Sequence, residues 1–133
     1  MEKAKFKLDG YFFEKATLDF SNKGGNLNLS FHPRGVYRKE TQTYTLQLGF
    51  IAEGEQNNVV SVDCIAEFSF VDCEGMNEIP EYFYTNSIAI LFPYIRAFVS
   101  TLSLQANVLP IILPTLNLTK LGEVLKIHTI VEN

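Results

Sequence analysis

Ile88-Ala89-Ile90-Leu91-Phe92-Pro93-Tyr94-Ile95-Arg96-Ala97-Phe98-Val99, followed by Leu109-Pro110-Ile111-Ile112-Leu113-Pro114-Thr115-Leu116-Asn117-Leu118, is the stretch that decides how this chain folds. In its first half Ile88, Leu91, Ile95, Phe98 (or Val99) and Leu102 recur at three- and four-residue steps, the spacing of one helix face. The opposite side is hardly more polar: Ile90, Tyr94, Ala97, Thr101 and Leu104 run along it, with Arg96 as the one charge. A helix apolar nearly all round needs cover on two sides. A sheet of the same chain covers one, and a second copy is the economical cover for the other. The second half has no helical spacing, because proline removes a backbone donor and fixes φ. It reads as an extended apolar segment that packs or binds.

Upstream the period changes to two. Phe6, Leu8, Phe12, Ala16, Leu18 and Phe20 share even parity between Ala4 and Phe20, which is the pattern of a strand with one dry face. Gly10 suggests a bulge, and Tyr11 and Phe13 fall on the other face. Asn22-Lys23-Gly24-Gly25 is a turn. Leu27, Leu29 and Phe31 form a second strand, interrupted at His32-Pro33-Arg34-Gly35. Tyr44, Leu46, Leu48 and Phe50 form the third, and Val60, Val62, Cys64, Ala66, Phe68 and Phe70 the fourth. Short polar turns between them give an antiparallel meander. Past Asp72-Cys73-Glu74-Gly75, Pro80 opens a helix that Pro93 kinks or restarts and that ends near Ala106-Asn107. Beyond Leu118, the β-branched residues around Leu125, Ile127 and Val131 suggest a short strand or tail rather than a helix. The expected fold is α+β: one domain over residues 1–133, a four-stranded antiparallel sheet with a long helix packed on one face.

Composition narrows the function. The 133 residues are 47% apolar with a net charge of −4, which suits a folded domain and argues against a nucleic-acid partner. The largest basic cluster, Arg34, Arg38 and Lys39, reads as a solvated loop. No apolar h-region follows Met1, and no uninterrupted apolar run reaches a membrane span, so a cytoplasmic protein without membrane insertion is expected. Cys64 and Cys73 are then free thiols. Their spacing is not a zinc pattern, and no cofactor or metal is expected. His32 and His128 are isolated, and Asp63 and Glu67 are expected on a solvated face. Hence no nucleophile–base pair or catalytic carboxylate pair emerges, and the chain does not read as an enzyme. What stands out is an apolar surplus over what one thin sheet buries.

Ile90-Leu91-Phe92-Pro93-Tyr94-Ile95-Arg96 resembles the signature helix of the SecB family of protein-export chaperones, and Pro110…Leu116-Asn117-Leu118 resembles the segment between that family's two helices. Phe68-Ser69-Phe70 and Glu74-Gly75 fit its approach to the helix. The resemblance spans about Ala16 to Leu121. It implies a dimer-of-dimers homotetramer that holds unfolded polypeptides in apolar grooves without ATP. Such a chaperone hands them to the export motor SecA or, in a branch tied to toxin–antitoxin operons, protects an antitoxin. By motif match Leu91, Phe92, Pro93, Tyr94 and Arg96 carry the architecture, and Leu109, Ile111, Ile112, Leu113 and Leu116 are the candidate client-binding residues. Three features depart from the family. Its second helix is not evident after Leu118, its acidic metal-binding tail has no counterpart up to Asn133, and Ser61 stands where a glutamate is expected for SecA. A specialised SecB-like chaperone is therefore expected at least as much as one for general export, and the remaining alternative is a non-chaperone oligomeric adaptor whose apolar surplus is wholly spent at its interface.

Overall fold

The computed structural model describes residues 5–21, 26–71, 79–113 and 116–132. The elements run β1 (Lys5–Leu18), β2 (Asn28–Arg38), β3 (Thr43–Glu53), β4 (Asn58–Val71), α1 (Glu81–Gln105), α2 (Leu118–Ile127) and β5 (Thr129–Glu132). Ala4, the turn at Asn22–Gly25, Asp72–Gly75, and Pro114 and Thr115 lie outside the described residues.

The sheet order is β1-β4-β3-β2-β5. The four-strand meander is antiparallel as expected, but the sheet is not four-stranded: β5 adds to β2 in parallel, pairing Gly35 with Thr129 through Arg38 with Glu132. The sheet is thus mixed, with five strands. β3 and β4 are the inner pair, and their alternation is clean. Tyr44, Leu46, Leu48 and Phe50 on β3 are buried, as are Val60, Val62, Cys64, Ala66, Phe68 and Phe70 on β4.

β1 corrects the parity reading. Register shifts between Leu8 and Gly10 and between Phe13 and Lys15 leave Asp9 and Glu14 as extra residues. Each is a bulge, which inserts one residue and re-aims those that follow. The face shared by Phe6 and Leu8 therefore passes to Tyr11 and Phe13, opposite Ala66 and Cys64, and returns to Ala16 and Leu18. Phe12 pairs with Ile65 on the outer face instead. The bulge at Gly10 agrees with expectation.

β2 is not interrupted at His32–Gly35. Pro33 pairs with Leu48 inside the strand. Gly35 N donates to His128 O on the β5 side, and the nitrogen of Pro33, two residues earlier, points to the same side before β5 begins. Proline is tolerated there because no ladder needs its missing donor. Gly35 is itself required, since a Cβ there would collide with the Tyr44 ring.

α1 lies on the inner face with Phe83, Ile88, Leu91, Ile95 and Val99 buried against the strands. Phe83 is the hub of an aromatic cluster, with ring centroids 4.7 Å from Tyr44, 4.8 Å from Phe6 and 4.9 Å from Phe70. Pro80 is the N-cap, one residue before the first turn, and the helix does not restart at Pro93, which sits on its exposed side. At 25 residues and apolar nearly all round, α1 has the length and composition of a membrane span. That corrects the expectation that no segment does. Here its buried stripe is engaged by the sheet.

The chain after Leu118 is also corrected: α2 is a helix, and the strand follows it. Asn117 caps it, its side chain accepting from Lys120 N at 3.1 Å. Leu118 and Leu121 turn toward the core and Leu125 is buried in it. Gly122 allows α2 to approach α1 closely, because a Cβ there would lie 3.1 Å from Thr85 N. Lys126 Nζ bonds Glu81 at 2.9 Å across the same pair of helices. The corner into β5 is pinned from inside: Tyr44 donates its buried hydroxyl to Thr129 Oγ1 at 2.6 Å, and Thr129 donates to Leu125 O at 2.7 Å.

Candidate functional site: an apolar surface on α1 and the segment after it

Helical geometry puts Ile90, Tyr94, Ala97, Thr101 and Leu104 on the side of α1 away from the sheet, and all five are exposed. The rings flanking this surface are ordered by strands. Tyr94 stacks on Tyr11 at 4.3 Å and Phe98 on Phe13 at 3.8 Å. Phe92 meets Phe31 at 5.8 Å. Arg96 lies 5.4 Å over the Phe92 ring, a cation–π contact that holds the one charge of this face flat on apolar surface.

α1 ends in a Schellman turn. Asn107, at φ 59°, donates to Leu104 O at 3.0 Å, and Val108 N donates to Ser103 O at 3.2 Å. Asparagine suits the left-handed position. The reversal sends the chain back as an extended strap whose side chains divide. Ile111 and Leu113 enter the core, and Ile111 N is tied to Ser103 Oγ at 3.4 Å. Leu109 and Ile112 point out, 88% and 79% exposed. Leu116 is half-buried.

The five candidate client residues therefore do not form one set in this protomer: Leu109 and Ile112 are available, whereas Ile111 and Leu113 anchor the strap. In the motif set Leu91 is buried, Phe92 half-buried, and Pro93, Tyr94 and Arg96 exposed. The contribution of Tyr11 and Phe13 was hidden in the sequence by the β1 bulges.

Reactive chemistry does not converge here. Cys64 is a buried thiol whose pKa burial pushes up to about 12, which suppresses the thiolate. Burial also raises the pKa of the Tyr44 phenol. Cys73 lies outside the described residues. Among the described residues no three His, Cys, Asp or Glu side chains are grouped to hold a metal.

No family model matches the chain. An uncharacterised protein of Methanocaldococcus jannaschii is 31% identical over 97 residues, covering 68% of this chain; the match spans 62% of that relative's length. Among solved structures, the chain is similar to a SecB-like chaperone of Mycobacterium tuberculosis, determined in complex with a ChAD peptide from the HigA1 antitoxin. The TM-score is 0.64 at 22% identity, over 84% of this chain and 90% of that one. A Streptococcus agalactiae protein of unknown function matches with a TM-score of 0.52 at 11% identity, over 86% of this chain and all (100%) of that one. The fold is SecB-like.

Proposed function

We propose that this protein is an ATP-independent holdase that binds unfolded or partly folded polypeptide on the apolar strap that follows α1. The observation that carries the reading is the pair Leu109 and Ile112, held out by a strap whose alternate residues are locked into the core. An exposed aliphatic side chain contributes about 1.5–3 kcal/mol when a partner buries it fully. Several such anchors on one flexible client add through effective concentration. A folded client hides the groups these anchors seek, so the protein takes the unfolded state without reading its sequence. No bond is made or broken, and no cofactor is needed. The outward side of α1 supplies the contact for self-association into a homotetramer in the cytoplasm.

The M. tuberculosis neighbour carries an antitoxin peptide, which favours a dedicated antitoxin chaperone as the second reading. Service to SecA in export is the third.

The test is aggregation of a chemically denatured client with and without the protein. Wild type should suppress light scattering at a stoichiometric tetramer. The double variant Leu109→Ser, Ile112→Ser should lose most of that capacity at an unchanged oligomeric mass. Equal suppression by the double variant would overturn the assignment of the strap. A co-expressed neighbouring antitoxin that is degraded without this protein would support the second reading.

A further inference from the structure

At the β2 edge of the sheet, reaching onto the face away from α1, a cleft of about 390 Å3 opens where the C-terminal end of α2 meets β2. Strand lengths create it. β5 pairs with β2 only from Gly35 onward, so among the described residues the sheet edge beside Phe31 and Pro33 has no strand paired to it. Gly49 deepens the floor, because a Cβ there would stand 3.1 Å from Asp63 Oδ1. Phe31, Pro33, Ile51 and Val124 supply an apolar lining.

Three basic side chains reach the same cleft: His32 and Arg34 from β2, and His128 from the end of α2. They include both histidines of the chain, 96 residues apart in sequence. Arg34 Nε donates to Gln47 Oε1 at 3.0 Å, which steadies the guanidinium and leaves its two terminal nitrogens for another acceptor. A planar fork of this kind matches a carboxylate. His128 Nδ1 donates to Val124 O at 2.9 Å, so Nε2 is the ring nitrogen left for a ligand. His32 Nε2 meets Ser30 Oγ at 3.0 Å. Asp63 lines the cleft as well, and its charge disfavours a dianion. A cleft of this size with an apolar lining and a few convergent polar groups has the make-up of a small-ligand site.

The geometry points to a binding site for an apolar group that ends in a single carboxylate. Two sources present that chemistry: a small carboxylic acid, or the last residue of a polypeptide with its free α-carboxylate. The apolar body lies on Phe31, Ile51 and Val124, and the carboxylate takes the Arg34 fork. This inference does not rest on the holdase reading, because neither Leu109 nor Ile112 lines the cleft.

The test uses the full chain, titrated with N-acetyl-L-phenylalanine, with its amide, and with a short unstructured peptide ending in a free phenylalanine, followed by amide chemical shifts. The acid should shift residues around Gly49 and Val124, and the amide should bind at least about tenfold more weakly, as loss of a charge-assisted bond implies. Arg34→Gln should weaken the acid by a similar factor and leave the amide unchanged. Gly49→Val should fill the floor and block both. If that variant does not fold, the Arg34→Gln comparison still decides. Peptide binding equal to that of the acid identifies a polypeptide terminus as the source, and binding of the acid alone identifies a small molecule. Equal binding of acid and amide, or no shifts with either, overturns the proposal.

Discussion

The two sides of α1 carry much the same chemistry and meet different fates. Ile88, Leu91, Ile95 and Val99 face the sheet with no exposed surface, whereas Ile90, Tyr94 and Leu104 stand 38%, 40% and 61% exposed. Hydrophobicity alone does not distinguish them. What separates them is the partner: β3 and β4 offer a dry, close-packed surface to the first set, whereas among the described residues the second set keeps a large part of its surface open, Tyr94 being covered on one side only, by Tyr11. The difference teaches that the inner face stabilises the fold and the outer face is available for association.

The largest expected effect lies on the buried side. Ile95→Ala should lower unfolding stability by about 2–5 kcal/mol, because it removes packed methyl groups and leaves a cavity. Leu104→Ala should stay within about 0.5 kcal/mol in the monomeric state. Denaturant titration of both variants checks the contrast, and comparable losses would break it. Gly122→Ala comes next. Its new Cβ meets the α1 backbone at Thr85, and overpacking of this kind costs about 1–3 kcal/mol. It should loosen α2 first, visible as faster amide exchange over Leu118–Ile127 than over α1. Equal acceleration across both helices would show that they open as one unit.

The smallest effect at neutral pH is a pH dependence that develops only in alkaline solution. Burial holds the Cys64 proton well above the ordinary 9.0 of a thiol, so the unfolded chain loses it first as pH rises. The folded state binds more protons in that window, and stability must fall as pH climbs from about 9 toward 12. The slope from this group is at most about 1.4 kcal/mol per pH unit. Tyr44 adds a slope of the same sign above 10.0. Cys64→Ala should remove the part that begins near 9 and keep the part due to Tyr44. Melting profiles across alkaline pH measure both.

Much of this was legible where one period held unbroken. β3 and β4 alternate strictly, and α1 shows its stripe, open only between Phe98 and Val99, and its end near Ala106-Asn107. Legibility failed where a long-range contact overruled a local rule. Pro33 looked like a strand breaker because the sequence does not reveal that β5 stops short of it. α2 was obscured by Ile127 and Thr129, although Asn117 and the leucines at 118, 121 and 125 already had the cap and spacing of a helix. The strap reads from its prolines and aliphatics as extended and apolar. Which of its residues point inward depends on Ser103 and the Schellman turn, and no pattern within the strap displays that.

The bulges of β1 bear on how this chain is to be compared with distant kin. Asp9 and Glu14 have no opposing position of their own in the register with β4. Excising either would leave Leu8, Tyr11, Phe13 and Ala16 on the sides they already occupy, so single-residue gaps at these two points cost the architecture little. An ungapped alignment to a kin sequence lacking them would set aromatic positions against solvent-facing ones from one gap to the next. Genuine kinship would then look weaker than it is, through bookkeeping rather than divergence.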